Sequence, residues 1–460
     1  MKFKKFHFII LIFLFLFAGI QLKSVSSYEE TTQPSFGMQI HDFEELSYAQ
    51  EADNYWLRYN GLLWSTYQPN DSDEFIRNPA LETKIEATNQ PGLELILVIR
   101  STPAWAQKYP GYYCGPMGEN FMKDFADFMY DVVDLYSKPP YNVMYYELWN
   151  EPDEYWGNVY SPSAEFGCWG EPEDPYFGGG YYAEMLAEVY PAIKSANPNA
   201  QVILGGLLLP CEPGSHDNWD YCNMSKFVEG VLRNNGGDSL DYLNFHGYTS
   251  YDTTQPSAIL MEKNEHWWDT AGGQVEGKLG YLQDLMASNG VSKPILLTEA
   301  GLADPYDNAI GDYAGFEQDK ADYLVWLYAR NLAKGIAGTT WYYLDGYGWE
   351  SSGLLNENND PLPAYEAFTI LTSALKGASF NQELPSADGI LGFEYSLGHK
   401  QIQLWFSEDG SLKRIPTPAQ FLRAYDLYGN PVVPTDGSIL FSRPLYVEIG
   451  SKIYLPLFIR

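Results

Sequence analysis

Glu151 and Glu299 are the two side chains on which chemistry can be built. The run Tyr145-Tyr146-Glu147-Leu148-Trp149-Asn150-Glu151-Pro152 reads as a buried strand that stops at an Asn-Glu pair ahead of a proline. A second run, Pro294-Ile295-Leu296-Leu297-Thr298, ends on Glu299 before Ala300-Gly301. Two carboxyl groups at the C-terminal ends of apolar strands can share the work of breaking a glycosidic bond. One stays protonated, which requires a raised pKa, and hands its proton to the leaving oxygen. The other is ionised and attacks the anomeric carbon. Glu147 lies four residues before Glu151, deeper along the same strand, and is expected to be a buried partner for Arg58 rather than a catalyst.

The elements that must position this pair follow from hydrophobic patterning. Short β-rich apolar runs recur at 36–40, 56–63, 93–99, 143–148, 202–207, 242–245, 295–298 and 339–343. Several are apolar on both faces, as strands of a fully covered parallel sheet should be. Helix-period segments lie between them: Phe121, Phe125, Phe128, Val132 and Leu135 share one face, as do Tyr182, Met185, Leu186, Val189 and Ile193. Tyr323, Trp326, Leu327 and Ala333 form a third such face. Strands alternating with helices predict an α/β fold, a (β/α)8 TIM barrel over residues 28–376, with a doubly wound open sheet as the rival. Strands four and seven face one another across the mouth of a closed barrel. Their carboxyl groups can then stand ~5–5.5 Å apart, the separation of a double-displacement glycosidase.

After Lys376-Gly377 the pattern changes. Alternating runs at 389–397, 400–407, 421–427, 438–441 and 444–449 are punctuated by Gly398, Asp409-Gly410, Gly429-Asn430-Pro431 and Asp436-Gly437. This predicts a small antiparallel β domain over residues 377–460. Ile453 to Ile459 is apolar but too short to span a bilayer, and reads as an edge strand or a sorting tail.

Residues 1–27 are expected to be a signal peptide. Three lysines precede an apolar run, and Val25-Ser26-Ser27 supplies small residues at a cleavage site; an uncleaved anchor is the other reading. A secreted, extracellular protein follows, with no stable membrane insertion once the segment is removed. The formal charge of the 460-residue chain is −32, and removal of that segment would leave about −36. So acidic a surface repels nucleic acid and polyanions and favours a neutral partner. Cys114, Cys168, Cys211 and Cys222 allow three connectivities. Cys211 and Cys222 bracket one loop and are expected to pair, leaving Cys114 with Cys168. Neither spacing is that of a structural zinc site.

Trp149-Asn150-Glu151-Pro152 on strand four, with Glu299 ending strand seven, resembles clan A of the glycoside hydrolases over about residues 36–375, with families thirty-nine and five nearest. The resemblance implies a retaining barrel hydrolase in which Glu151 is the acid/base and Glu299 the nucleophile. By the same resemblance Asn150 binds the sugar 2-hydroxyl, Tyr248 of His246-Gly247-Tyr248 orients the nucleophile, and His246 lines the site. Arg58 would support the nucleophile, and Trp341 would floor the subsite of the cleaved sugar. Arg100-Ser101-Thr102-Pro103-Ala104-Trp105 lacks the histidine that some clan members carry there. Independently of the resemblance, aromatic rings suit the apolar faces of sugars, and Trp64, Trp105, Trp156, Trp169, Trp341 and Trp349 fall at or after expected strand ends. Core packing is the competing role for each. The expected function is hydrolysis of β-glycosidic bonds in neutral oligo- or polysaccharides, without cofactor or catalytic metal. A non-catalytic carbohydrate-binding barrel and a transglycosylase are the alternatives.

Overall fold

All eight expected runs become parallel strands: β1 (Phe36–Ile40), β2 (Trp56–Leu63), β3 (Glu94–Arg100), β4 (Tyr145–Asn150), β5 (Gln201–Gly206), β6 (Leu243–Ser250), β7 (Ile295–Ala303) and β8 (Gly338–Trp341). The computed structural model describes residues 36–450 apart from 72–73, 156–165, 215–219, 306–307, 310, 347 and 386. The expected signal peptide, the apolar tail and Trp156 therefore lie outside the described residues. The sheet runs β5-β4-β3-β2-β1-β8-β7-β6, and the bridges Ile203↔Tyr242 and Leu207↔Phe245 join β5 to β6, so the barrel closes. Every residue of β1, β4 and β7 is buried, because helices cover the outside and side chains fill the inside.

Inside the barrel the side chains form layers. Trp56, Ile96, Tyr145, Ile203, Tyr242 and Leu296 make an apolar cluster at the strand starts. Two residues further along the same strand faces stand Arg58, after Trp56, and Glu147, after Tyr145. The charged layer thus rests on an apolar floor that excludes water from beneath it.

Covering helices include Met122–Tyr136, Gly179–Ala196, Gln274–Ser288, Tyr313–Ala333 and Pro363–Leu375. The helix Pro79–Thr88 shows how such elements start: Asn78 accepts from the N–H groups of Ala80 and Leu81, and Pro79 occupies the first turn, where no N–H is needed. The disulfides are Cys114–Cys168 and Cys211–Cys222, the expected pairing.

The C-terminal strands are β9 (Ser379–Glu383), β10 (Ile390–Leu397), β11 (Lys400–Ser407), β12 (Lys413–Pro416), β13 (Phe421–Asp426), β14 (Ser438–Phe441) and β15 (Leu445–Gly450). Five form an antiparallel sheet, β13-β15-β11-β10-β9, and β12 pairs with β14 in a ribbon. Strands β9 and β12 were not expected. Both are short and polar, and pairing with β10 and β14 recruits them. The sheet packs on Tyr313–Ala333 through Trp326, whose ring lies 5.6 Å from Phe393 and 5.2 Å from Phe406. Among the described residues no helix is long and apolar enough to cross a membrane.

A buried ion pair fastens that helix to the barrel. Glu262, fully buried, accepts from Arg330 Nη1 and from Trp326 Nε1. Glu262→Ala leaves the buried guanidinium without its counter-ion, with Asn331 Oδ1 as its remaining acceptor, and is expected to destabilise the protein by about 3–5 kcal/mol. The double variant Glu262→Leu/Arg330→Met should recover most of that loss. Denaturant unfolding at pH 7 checks both values.

Candidate active site

A cleft of about 590 Å³ opens over the C-terminal ends of the strands, with Glu151 and Glu299 in its wall. Glu151 directly follows β4. Trp149 and Glu151 have φ of 78° and 46°, a region that costs a non-glycine residue roughly 1–2 kcal/mol. Local bonds hold this turn: Glu151 N–H donates to Gly206 O at 2.8 Å, and the buried Trp149 donates through Nε1 to Cys114 O at 2.8 Å. The turn swings the Glu151 carboxyl off the sheet and into the cleft.

Glu299 reaches the cleft by a different device. It lies inside β7 rather than at its end, because pairing with β6 continues to Ser250↔Ala303. The register slips there: Phe245 pairs with Leu297 and His246 with Glu299, leaving Thr298 as an extra residue. In a regular strand Thr298 and Glu299 would face opposite sides. The bulge lets both meet His246, whose Nε2 is 3.2 Å from Thr298 Oγ1 and whose Nδ1 is 3.5 Å from Glu299 Oε2. The same Nδ1 is 2.9 Å from Glu151 Oε1. Oxygen atoms of the two carboxyl groups and a ring nitrogen of His246 all lie within 4.8 Å of one another. Such a group could ligate a metal ion, and hydrogen bonding between imidazole and carboxyl groups produces the same closeness.

Arg58 organises the layer beneath. Its guanidinium, fully buried, donates to Glu147 through Nε (2.9 Å) and Nη2 (2.6 Å), to Asn150 Oδ1 at 2.7 Å, and through Nη1 to Gln39 Oε1 and Glu299 Oε1. Tyr248 OH donates to the other Glu299 oxygen at 2.6 Å. Both oxygens of Glu299 therefore act as acceptors, the hydrogen-bonding role of a carboxylate. Burial, reinforced by Glu299, pushes the Tyr248 phenol well above its ordinary value, so it stays a donor.

The other carboxyl group is in the opposite situation. Burial pushes Glu151 up to about 7, only partly offset by the cations Arg58 and Lys278. Burial also pulls His246 down to about 4, against the pull of Glu299, so its imidazole is neutral near pH 7. One carboxyl group is poised to hold a proton, and the other is gripped by two donors.

Of the residues singled out from the sequence, Asn150, Glu151, Tyr248 and Glu299 line the cleft, and Arg58 and His246 lie directly below them. Trp64, Trp105 and Trp341 do not form its wall. Trp64 is buried against Phe125 and Phe128, and Trp105 packs edge-on against Trp64. Trp341 is fully buried, bonded through Nε1 to Ser352 O at 2.8 Å. These indoles fill the space between barrel and cover, where large apolar volume is needed. The cleft takes its aromatic faces from Trp349, one of the tryptophans singled out from the sequence, and from Tyr59, Phe166, Tyr342 and Tyr343, which were missed. Gln39 was also missed; a lone polar side chain in the apolar strand β1 was the available signal.

The family profile described as Cellulase (glycosyl hydrolase family 5) matches residues 57–341, from β2 to the end of β8. The chain belongs to glycosyl hydrolase family 5. It is a glycoside hydrolase of clan A, and the matched region carries every site residue named above except Gln39 and the rings beyond Trp341. No curated protein matches this family 5 member by sequence. Among solved structures it is similar to a family 39 glycoside hydrolase from Bacteroides cellulosilyticus WH2. The TM-score is 0.67 at 18% identity, over 91% of this chain and 81% of that one. A family 30 subfamily 8 xylanase, Xyn30A, from Clostridium acetobutylicum gives 0.57 at 12% identity, over 92% and 98%. A family 39 β-xylosidase from Caulobacter crescentus gives 0.56 at 14%, over 91% and 97%. At these identities the likeness is one of fold.

Proposed function

We propose that this family 5 protein is a retaining β-glycoside hydrolase acting on neutral oligo- or polysaccharides, with Glu151 as acid/base and Glu299 as nucleophile. The observation that carries the reading is the short separation of the two carboxyl groups, oxygens within 4.8 Å, in one cleft. An inverting pair stands ~6.5–9.5 Å apart to admit a water. In the first step Glu299 attacks the anomeric carbon, and the bond to the leaving oxygen breaks as Glu151 donates its proton. In the second step Glu151, now ionised, takes a proton from water as that water displaces Glu299 from the same carbon. Two inversions restore the starting configuration. Asn150, fixed through Oδ1 by Arg58, lines the cleft and binds the 2-hydroxyl. The rings of Tyr342, Tyr343 and Trp349 supply flat faces for sugar rings. The xylanase and xylosidase among the similar structures make β-xylosides, and the Cellulase profile makes β-glucosides, the first substrates to try. We further infer that the protein works in an oxidising compartment outside the cytoplasm, on the support of its two disulfides.

The test is covalent capture. A 2-deoxy-2-fluoro aryl β-xyloside or β-glucoside should stop turnover while adding one glycosyl unit to the peptide that contains Glu299. Labelling of another carboxyl group, or turnover with inversion at the anomeric centre, would sink the assignment. A pH dependence follows from the same roles. Glu151 must be protonated to act as acid, so kcat/KM on a substrate with a poor leaving group should decline as pH rises through about 7. A rate that keeps climbing beyond pH 8 contradicts this.

A further inference from the structure

Lys278 is a buried cation that the mechanism above does not use. It projects from the helix Gln274–Ser288 and is 2% exposed. Its Nζ donates to Leu208 O at 2.8 Å and to His246 O at 2.9 Å. On the other side of the same chain segment stands Asp153, fully buried, two residues after Glu151. Its Oδ1 accepts from Leu208 N–H and its Oδ2 from Leu209 N–H, each at 2.8 Å. The segment after β5 is thus gripped from both sides, its N–H groups by an acid and its C=O by an ammonium. Leu208 lines the cleft, and His246 touches Glu151.

Burying an ammonium and a carboxyl group costs several kcal/mol each before compensation. An apolar side chain would satisfy the packing alone, so a charge at this depth calls for a use. We propose that Lys278, opposed by Asp153, is a positioning residue of the hydrolysis: it ties the β5 and β6 rims together at His246 and Leu208 and keeps a positive charge behind Glu151. The proposal rests on Glu151 being the proton donor.

The electrostatic surroundings agree in sign. The charged and titratable groups around Glu151 are Arg58 from β2, Glu147 from β4, Asp153 after β4, His246 and Tyr248 from β6, Glu299 from β7 and Lys278 from the helix. Lys278 itself faces Asp153, Glu151 and Glu265. Burial pulls it down to about 8, against the pull of those three acids. Burial pushes Asp153 up to about 7, against the hold of its two N–H donors. Near pH 7 Lys278 is mostly charged and favours the ionised form of Glu151, restraining the rise that burial causes. Asp153 and Glu151 carry like charge when ionised, and Glu151 adds to the rise of Asp153.

Two substitutions with opposite expected signs test this, read as the pH profile of kcat/KM on an aryl β-glycoside with a poor leaving group. Lys278→Met should move the alkaline limb upward by about half a pH unit or more, and Lys278→Arg should return it toward the wild type. Asp153→Asn removes the opposing charge and should move the limb downward; it also turns one of the two acceptors for Leu208 and Leu209 N–H into a donor, so its unfolding midpoint is read alongside the profile. If Lys278→Met does not fold, Asp153→Asn decides alone. Limbs that stay put while only the unfolding midpoint falls would overturn the proposal, since a purely structural role has no effect on the profile. Glu151→Gln, run in parallel, separates the two claims: if the wild-type limb survives in it, the acid/base assignment fails instead.

Discussion

Glu299→Ala is expected to lower kcat by roughly 10⁴-fold or more, because with Glu299 as the proposed nucleophile its loss removes the reaction path itself rather than one contact to it. The protein should still fold. Arg58 keeps Glu147, Asn150 and Gln39 as acceptors after the substitution, so its guanidinium is not left unpaired. Tyr248 loses an acceptor but lines the open cleft, where water can replace it. Circular dichroism should therefore match the wild type while turnover is lost. Azide can occupy the vacated space and attack the anomeric carbon once, so an activated β-glycoside should give the α-glycosyl azide. A variant that retains more than about a hundredth of wild-type kcat would remove Glu299 from the nucleophile role.

Glu151→Ala is expected to divide substrates by leaving group. Where the departing oxygen needs a proton, kcat/KM should fall by roughly 10²–10⁴-fold, the usual contribution of a positioned general acid. Dinitrophenyl glycosides need no such help, so their kcat/KM should change little. Their kcat should still drop, because water no longer has a base and the glycosyl-enzyme accumulates, which also lowers KM. Azide should then raise kcat and yield the β-glycosyl azide, the anomer opposite to that from Glu299→Ala. That contrast separates the two carboxyl groups by product, independently of any rate. A uniform loss across all leaving groups, with no response to azide, would refute the acid/base role.

The barrel itself was readable because parallel strands covered on both faces must be apolar throughout, which leaves unambiguous runs of hydrophobic residues. The strands missed, β9 and β12, are short polar segments whose pairing comes from a neighbour rather than from their own composition. Three of the tryptophans expected at the cleft lie elsewhere for a related reason. Trp64, Trp105 and Trp341 follow or end strands, as cleft residues do, but the direction of a side chain at a rim depends on local backbone turns that composition does not encode. Tyr342 and Tyr343, next to Trp341, face the cleft while Trp341 itself is buried.

Residue order alone was enough to identify the barrel, the two glutamates and the pairing of Glu147 with Arg58, since each follows from strand periodicity and the cost of burying an unpaired charge. Packing in three dimensions decided the rest. It turned the chain at Trp149 and Glu151 into a left-handed conformation, and it inserted Thr298 as a bulge that aims Glu299 at His246. It also brought Lys278 to the carbonyl groups of Leu208 and His246 from a helix that follows both in the chain. These features depend on which distant backbone and charge come within a few ångströms, and burial, which pushes Glu151 up, is a property of the assembled barrel rather than of any segment of it.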